Sequence, residues 1–355
     1  MVARFNDMGN QTQPLADDLD HVLEHTRTLW EELRGQRLFI TGGTGFFGCW
    51  LLESFAWAND RLKLGASAFV LTRDPSAFQK KAPHLAANPA IQFLRGDVRS
   101  FGFPAGHFSH VIHAATEASA KLNVENPELM FDTILAGTRH TLEFSRAAGA
   151  KKFLLTSSGA VYGPQPPAIT HVAEDYAENL DPAVLTSAYG RGKQAAERLG
   201  TDFGKQHGLE VKIARGFAFV GPHLPLDAHF AIGNFINDAM HGKNICIHGD
   251  GTPYRSYLYA ADLAIWLWTI LFRAPSARAY NVGSGRALTI AELARKVDST
   301  LGTHTGVTIL QAPVPGQPPS RYVPSVYRAE TELGLRESVD LETAIQKTVK
   351  WVQSS

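Results

Sequence analysis

The segment RLFITGGTGFFG, residues 37–48, decides the fold. Its first six residues, 37–42, have the composition of a short buried strand, and a helix is predicted to follow the glycines. Gly42, Gly45 and Gly48 have the spacing GxxGxxG. Glycine permits the tight turn and lets backbone N–H groups approach a pyrophosphate at a helix N-terminus. The order strand, glycine loop, helix therefore predicts a dinucleotide site; the alternative is a glycine turn without a ligand.

Strands and helices are predicted to alternate along the next part of the chain. Further strands are predicted at 67–73, 91–98, 110–116, 152–158 and 211–221. Long helices are predicted at about 127–148 and 187–206. This alternation indicates an α/β fold with a doubly wound, Rossmann-like parallel sheet, which binds ligands beyond the carboxyl ends of its strands.

Three parts of the chain are predicted. Residues 1–35 form an N-terminal helical extension, because apolar side chains repeat at helical spacing; packing on its own domain is favoured over a subunit contact. Residues 36–221 form the NAD(P)-binding Rossmann domain with the catalytic helix. Residues 222–355, where Pro and Gly are frequent, form mainly a smaller C-terminal lobe, with a possible return of the chain to the sheet domain around 255–285.

The composition excludes several classes of protein. Lys+Arg and Asp+Glu balance at 34 each in 355 residues, which gives no electrostatic reason to expect nucleic acid or an anionic membrane as partner. Two cysteines make no disulfide framework. No signal peptide or membrane-spanning run is recognisable, so a cytoplasmic protein is expected. The fourteen histidines are scattered along the chain and form no HExxH motif, so no catalytic metal is predicted.

The residues after the second and third strands bear on the adenosine half of the cofactor. Arg73 ends the second strand and favours NADP, since an Arg there accommodates the 2′-phosphate, whereas an acid would accept from the 2′-OH of NAD. Asp74 precedes a proline and is interpreted as the start of a turn. Asp97 is a candidate partner of the adenine amino group, or alternatively a loop cap.

A proton-transfer set is predicted beside the nicotinamide. Ser158 ends the fifth strand, and Tyr189 and Lys193 share one face of the next helix. A neighbouring ammonium and the nicotinamide charge are expected to lower the pKa of Tyr189 toward working pH. The phenolate would take a proton from a sugar hydroxyl that Ser158 hydrogen-bonds, while Lys193 would hold the nicotinamide ribose. Tyr and Lys four residues apart are common on helices, so the prediction depends on the glycine loop and Ser158.

At this point the chain resembles the extended short-chain dehydrogenase/reductase family, the NAD(P)-dependent nucleotide-sugar epimerases and dehydratases. The matching motifs cover about residues 36–352, and they are TGGTGFFG (41–48), GDV (96–98), HAA (113–115), AGT (136–138), SSGAVYG (157–163), YGRGK (189–193), GDGTPYRSYLYAADLA (249–264) and YNVGSG (280–285). The resemblance implies that the smaller lobe binds a nucleoside diphosphate sugar. It also implies a homodimer packed through the helices at about 127–148 and 187–206.

The resemblance assigns roles to matching positions. The cofactor would be held by Gly42, Gly45, Phe46, Phe47, Gly48, Arg73, Asp97, Val98, Ala114, Ala115, Tyr189 and Lys193. Ser158, Tyr189 and Lys193 match the catalytic Ser, Tyr and Lys. Arg255 matches an Arg that grips the substrate diphosphate, and Arg321 lies where a second diphosphate contact is often found. Glu117 is a further candidate substrate contact, and its carboxylate could contribute to a 4,6-dehydratase or decarboxylase reaction.

Departures from the family pattern limit the predicted reaction. Where 4,6-dehydratases carry Asp-Glu and decarboxylases a Glu, this chain has Gly159 and Ala160, which transfer no proton. Ala218 and Ile134 replace two family asparagines, the first of which commonly contacts the diphosphate. These departures favour an epimerase that acts at a sugar carbon, C4 by resemblance. A one-way NADPH-dependent 4-ketoreductase is the alternative, a 4,6-dehydratase is less favoured, and a non-catalytic NAD(P)-binding protein is the competing class.

Overall fold

The computed structural model describes residues 13–116, 125–179, 185, 187–228 and 230–354. The candidate Glu117 lies outside these residues. Within them, no helix is long and apolar enough to cross a membrane.

Short strands and longer helices alternate through the first two thirds of the chain. The strands are β1 (Arg37–Thr41), β2 (Ser67–Thr72), β3 (Ile91–Arg95), β4 (His110–His113), β5 (Lys152–Ser158), β6 (Glu210–Gly216), β7 (Phe219–Val220), β8 (Ile245–Ile247), β9 (Tyr254–Arg255), β10 (Leu258–Tyr259), β11 (Ala279–Val282), β12 (Leu288–Thr289), β13 (Val307–Ile309) and β14 (Arg321–Tyr322). The α-helices are α1 (Ala16–Thr26), α2 (Phe46–Arg61), α3 (Pro75–Lys81), α4 (Pro83–Ala86), α5 (Pro127–Ala147), α6 (Ala188–His207), α7 (Ala231–Met240), α8 (Ala260–Arg273), α9 (Ile290–Leu301), α10 (Tyr327–Leu333) and α11 (Leu341–Ser354). Single 3₁₀ turns lie at Trp30–Leu33, Gly159–Tyr162 and Glu174–Asn179.

Seven strands form one parallel sheet in the order β11-β6-β5-β4-β1-β2-β3. The order reverses between β1 and β4, and an open α/β sheet binds its ligands at such a switch point. Along β1, Leu38 and Ile40 join the core that contains α2 and α8, whereas Phe39 joins the core that contains α5 and α6. The doubly wound sheet with helices on both faces is therefore confirmed.

The chain after residue 221 does not stay in a separate lobe. β11 pairs with β6 at the edge of the main sheet, and the apolar helix α8 lies in the core against the sheet. The remaining elements build the smaller lobe, in which β9 pairs with β12 and β14, and β8 pairs with β13. This lobe lies beside the carboxyl ends of β5 and β6, which places its side chains over the switch point.

The N-terminal extension packs on the sheet domain. α1 ends at Thr26 and a 3₁₀ turn follows at Trp30–Leu33, so the apolar repeat of the extension is divided between two elements. Thr26 joins them, because its hydroxyl donates to the Val22 carbonyl and accepts from the indole N–H of Trp30. Trp30 is fully buried, with its ring centre 4.6 Å from that of Trp268 on α8. Asp18 accepts from the Tyr259 hydroxyl. The extension is thus part of the core of this chain.

Candidate active site

A cleft of about 820 Å³ opens at the carboxyl ends of β1, β4, β5 and β6 and is closed by the smaller lobe. Its walls include Gly42, Gly45, Phe46, Phe47, Lys81, Ala114, Thr116, Ser158, Tyr189, Lys193, Phe217, Ala218, Arg255 and Tyr322. Most of the residues predicted to bind cofactor or catalyse therefore line one cavity. Their roles stay predictions, because position alone does not measure a function.

The glycine loop is packed so tightly that side chains do not fit. Gly42 has a φ of +71°, and a Cβ there would lie 2.5 Å from the Ala114 carbonyl carbon at the end of β4. A Cβ on Gly48 would lie 2.3 Å from the backbone of Gly43. Gly45 is the N-cap of α2 and, within the described residues, no side chain caps this helix. The free N–H groups of its first turn therefore face the loop, as a bound pyrophosphate requires.

Ser158, Tyr189 and Lys193 lie together at the end of β5. The Ser187 hydroxyl caps α6 by accepting from Gly190 N at 3.0 Å, which starts the helix where Tyr189 and Lys193 face the cleft. Lys193 Nζ donates to Thr116 Oγ1 at 2.6 Å and to the Thr156 carbonyl at 2.7 Å. It lies 5.8 Å from the centre of the Tyr189 ring.

The electrostatics differ from the sequence expectation. Burial raises the pKa of Tyr189, and a hydrogen bond with Ser158 opposes that rise. Burial lowers the pKa of Lys193 to about 7, which the nearby Glu197 carboxylate opposes. In the protein by itself Lys193 therefore gives Tyr189 less help than an exposed ammonium would, because the two groups share one poorly hydrated pocket. A cationic nicotinamide would supply the missing positive charge.

Sequence reasoning missed a charged network beneath this set. Glu197 lies one turn after Lys193, accepts from the Ser157 hydroxyl, and pairs with Arg215 Nη2 at 2.7 Å. Arg215 also donates to the Tyr162 hydroxyl at 3.0 Å. The network ties α6, β5 and β6 together next to the candidate catalytic side chains. The helical spacing of Lys193 and Glu197 was the available signal.

The charged side chains that follow β2 have different surroundings. Asp74 Oδ1 accepts from Ala77 N at 3.0 Å and caps α3, as its interpretation as a turn residue implied. Arg73 is exposed beside it. Lys81, at the far end of α3, returns to the glycine loop and donates to the Thr44 carbonyl at 3.0 Å. One cation thus lies at the end of β2 and a second lies beside the glycine loop.

Three other predicted cofactor residues lie outside the cleft walls. Asp97 bonds to Arg99 at 2.8 and 3.0 Å, and this partner lowers the pKa of its carboxyl to about 2. Val98 packs against Gly137 of α5, where a Cβ would come within 2.9 Å of it. Ala115 N donates to Thr41 Oγ1 at 3.2 Å and so joins the ends of β4 and β1. Asp97 is therefore engaged locally, as its loop-cap alternative stated.

The two candidate arginines of the smaller lobe lie in different environments. Arg255 lines the cleft, with its guanidinium 6.0 Å from the centre of the Tyr322 ring. Arg321 does not line it; its guanidinium stacks 4.0 Å from the centre of the Tyr254 ring. Successive residues of a strand point to opposite faces, so on β14 only one of Arg321 and Tyr322 faces the cleft. The structure puts Tyr322 there, and the prediction that Arg321 contacts substrate is not supported by its position.

The structure shows what surrounds the positions at which the sequence departs from the family pattern. A Cβ on Gly159 would lie 2.7 Å from the Phe217 ring and 2.8 Å from the Tyr322 hydroxyl. Two aromatic side chains therefore fill the space next to Ser158, and no acidic side chain fits at residue 159 without moving them. Ala218 lies on the cleft wall as an apolar residue. Ile134 packs inside the core against Gly192 of α6.

Comparison with known proteins identifies the family. Residues 38–283 match the model of the NAD dependent epimerase/dehydratase family, so the chain belongs to that family of extended short-chain dehydrogenases/reductases. It is 28% identical over 309 residues to UDP-glucuronic acid decarboxylase 6 of Arabidopsis thaliana, covering 87% of this chain and 86% of that protein.

Solved structures show the same fold. A UDP-glucose 4-epimerase of Thermus thermophilus in complex with NAD superimposes with a TM-score of 0.72 at 27% identity, covering 90% of this chain and 99% of that one. A dTDP-glucose 4,6-dehydratase of Streptomyces venezuelae with NAD bound gives 0.74 at 23% identity, covering 90% and 97%. The protein is thus an enzyme of the nucleotide-sugar epimerase/dehydratase type.

Proposed function

We propose that this protein is an NAD(P)-dependent epimerase of a nucleoside diphosphate sugar, acting by reversible hydride transfer at one sugar carbon, C4 by family likeness. The observation that supports this reaction is the pairing of Ser158, Tyr189 and Lys193 with a filled, acid-free space at Gly159. Relatives include a decarboxylase and a dehydratase, but their extra proton transfers need an acid that residues 159 and 160 do not supply.

Each side chain of the site has a distinct role in the proposed reaction. When bound, a nicotinamide cofactor would supply the acceptor and then the donor of the hydride. Tyr189 takes the proton of the reacting hydroxyl and gives it back on reduction. Ser158 hydrogen-bonds the reacting oxygen and keeps it within reach of Tyr189. Lys193 holds the nicotinamide ribose and stabilises the phenolate, and Arg255 pairs with the diphosphate.

An NADPH-dependent 4-ketoreductase is the second candidate, and it rests on the end of β2. Asp74 is used as a helix cap, Arg73 is exposed at the end of β2, and Lys81 donates to the Thr44 carbonyl of the glycine loop. A 2′-phosphate fits this charge pattern better than a free 2′-OH does. We therefore propose NADP as the preferred cofactor of either reaction.

The cofactor proposal is tested by titrating NADPH and NADH separately into the protein and into Lys81→Met. We expect NADPH to bind more tightly, and Lys81→Met to weaken NADPH about tenfold while changing NADH little. An exposed lysine far from the loop, Lys350→Met, is the control. Equal affinities for both nucleotides in the unchanged protein would overturn the NADP preference.

The reaction is tested by incubating the protein with UDP-glucose, UDP-glucuronic acid and dTDP-glucose and separating the products. An epimer without net change in reduced nicotinamide supports the epimerase. Net consumption of NADPH when a 4-keto nucleotide sugar is added as substrate supports the reductase. Release of CO₂ or of water would overturn both. Cofactor binding without any product would indicate the non-catalytic class. Tyr189→Phe should abolish turnover and leave cofactor affinity nearly unchanged.

We also propose a homodimer formed through α5 and α6, as the family resemblance implies. A sizing measurement in solution tests this: a monomer over the working concentration range would remove the proposal.

A further inference from the structure

A second tyrosine faces the active-site serine. Tyr322 belongs to β14 in the smaller lobe, and its hydroxyl lies 3.4 Å from Ser158 Oγ. Its ring packs 4.7 Å from that of Phe217. Neither the family motifs nor the proposed reaction uses this residue. It reaches Ser158 from the side of the cleft opposite α6.

Several neighbouring groups therefore form hydrogen bonds with Ser158, which has only one hydroxyl proton to donate. Its oxygen accepts from Ala160 N at 3.2 Å, and its hydroxyl also interacts with Tyr189. A serine hydroxyl donates once and accepts twice, so the direction of the Tyr322 contact decides where the serine proton points. If Tyr322 donates, the acceptor sites of Ser158 are filled and its proton is free for Tyr189 or the substrate oxygen.

Tyr322 can act as the donor, because it keeps its proton at working pH. Burial raises the pKa of its hydroxyl well above the usual value, and hydrogen bonds with Ser158 and with the Gly159 backbone oppose that rise without cancelling it. The Gly216 carbonyl, also at 3.4 Å, is a second acceptor for the same proton. Both distances are long for an O–H···O bond, and hydrogen bonds in active sites commonly shorten when substrate binds.

We propose that Tyr322 is a positioning residue of the active site: its hydroxyl donates to Ser158 and thereby directs the serine proton toward Tyr189 and the reacting sugar oxygen. The missing side chain of Gly159 makes room for this contact, since a Cβ there would lie 2.8 Å from the Tyr322 hydroxyl. The proposal rests on the proposed function for the identity of the reacting oxygen, but not for the link between Tyr322, Ser158 and Tyr189.

That link has a readout that does not require turnover. In the complex with NADP⁺, the ionisation of Tyr189 is followed by tyrosinate ultraviolet absorbance, as the difference between the protein and Tyr189→Phe. The same difference is then measured in the Tyr322→Phe background. Phe keeps the ring on Phe217 and removes only the hydroxyl. Tyr327→Phe removes the same atom from an exposed residue in the same segment and is the control.

We expect Tyr322→Phe to raise the pKa of Tyr189 by roughly half a unit to one unit, because a serine that is no longer oriented stabilises the phenolate less. Tyr327→Phe should cause no shift. In Ser158→Ala, adding Tyr322→Phe should have no further effect. An unchanged pKa in Tyr322→Phe, or an equal shift with and without Ser158, would overturn the proposal.

Where the product assay has identified a converted sugar, the kinetic test follows. Tyr322→Phe should lower kcat about tenfold, change KM little, and move the acidic limb of the kcat/KM profile to higher pH. A shift of the tyrosinate titration without any converted sugar would leave the hydrogen-bond link standing and count against the proposed function. A loss of kcat with an unmoved limb would assign Tyr322 a packing role only.

Discussion

Replacing the buried lysine of the catalytic set should stabilise the protein at neutral pH. In the fold, burial lowers the pKa of Lys193 to about 7, whereas an unfolded lysine titrates near 10.4. Between these values the unfolded chain binds more protons than the folded one, so the free energy of unfolding rises with pH across that window. Lys193→Met lacks this dependence.

The size of the effect follows from the same difference. Roughly three pKa units correspond to about 4 kcal/mol of destabilisation at pH 7, which disappears as pH approaches 10. The substitution also loses the hydrogen bonds to Thr116 and Thr156, worth about 1 kcal/mol each. Lys193→Met should therefore be about 2 kcal/mol more stable than the unchanged protein at pH 7, and about 2 kcal/mol less stable near pH 10.

Urea unfolding followed by tryptophan fluorescence, at intervals from pH 7 to pH 10, measures both curves. Lys205→Met, an exposed lysine on the same helix, is the matched control and should run parallel to the unchanged protein. Cofactor affinity should fall in Lys193→Met even where the fold is more stable. Stability curves that run parallel for Lys193→Met and the unchanged protein would refute the assignment of a poorly hydrated, partly neutral lysine.

Two further substitutions test the glycine loop and the N-terminal extension. Gly48→Ala should abolish cofactor binding, because its Cβ would lie 2.3 Å from the Gly43 backbone. Gly102→Ala, with open space around it, is the control and should bind the cofactor normally. Normal binding by Gly48→Ala would show that the loop has room to adjust. Trp30→Ala should cost about 3–5 kcal/mol of unfolding free energy because the ring is fully buried against Trp268, whereas the exposed Leu310→Ala should cost little; a loss below 1 kcal/mol would mean that the extension adds little to the core.

Sequence patterns predicted those features of the structure that depend on residues close together in the chain. The strand and glycine loop at 37–48 were recognisable because a tight turn next to a helix N-terminus demands glycine at fixed positions. Tyr189 and Lys193 were recognisable because helical spacing of four puts them on one face. The strands of the sheet follow from buried apolar runs, which depend little on distant parts of the chain.

Features that depend on distant contacts were not accessible in the same way. A return of the chain to the sheet domain around 255–285 was predicted, but the four residues of β11 do not by themselves identify β6 as their partner strand. The choice between Arg321 and Tyr322 depends on which face of β14 meets the cleft, and this is fixed by pairing with β9. The pKa of Lys193 depends on the burial of the whole pocket. The sequence alone suggested instead a charged Lys193 that lowers the pKa of Tyr189.

Deuterium at C4 of a converted nucleotide sugar reports whether the hydride returns to the same molecule. The protein is incubated with the labelled sugar, and the products are examined by mass spectrometry while reduced nicotinamide is followed by absorbance. Epimerisation predicts a product that keeps its deuterium, with no net change in reduced nicotinamide. Net formation of reduced nicotinamide that carries the deuterium, together with a 4-keto product, would contradict the epimerase assignment.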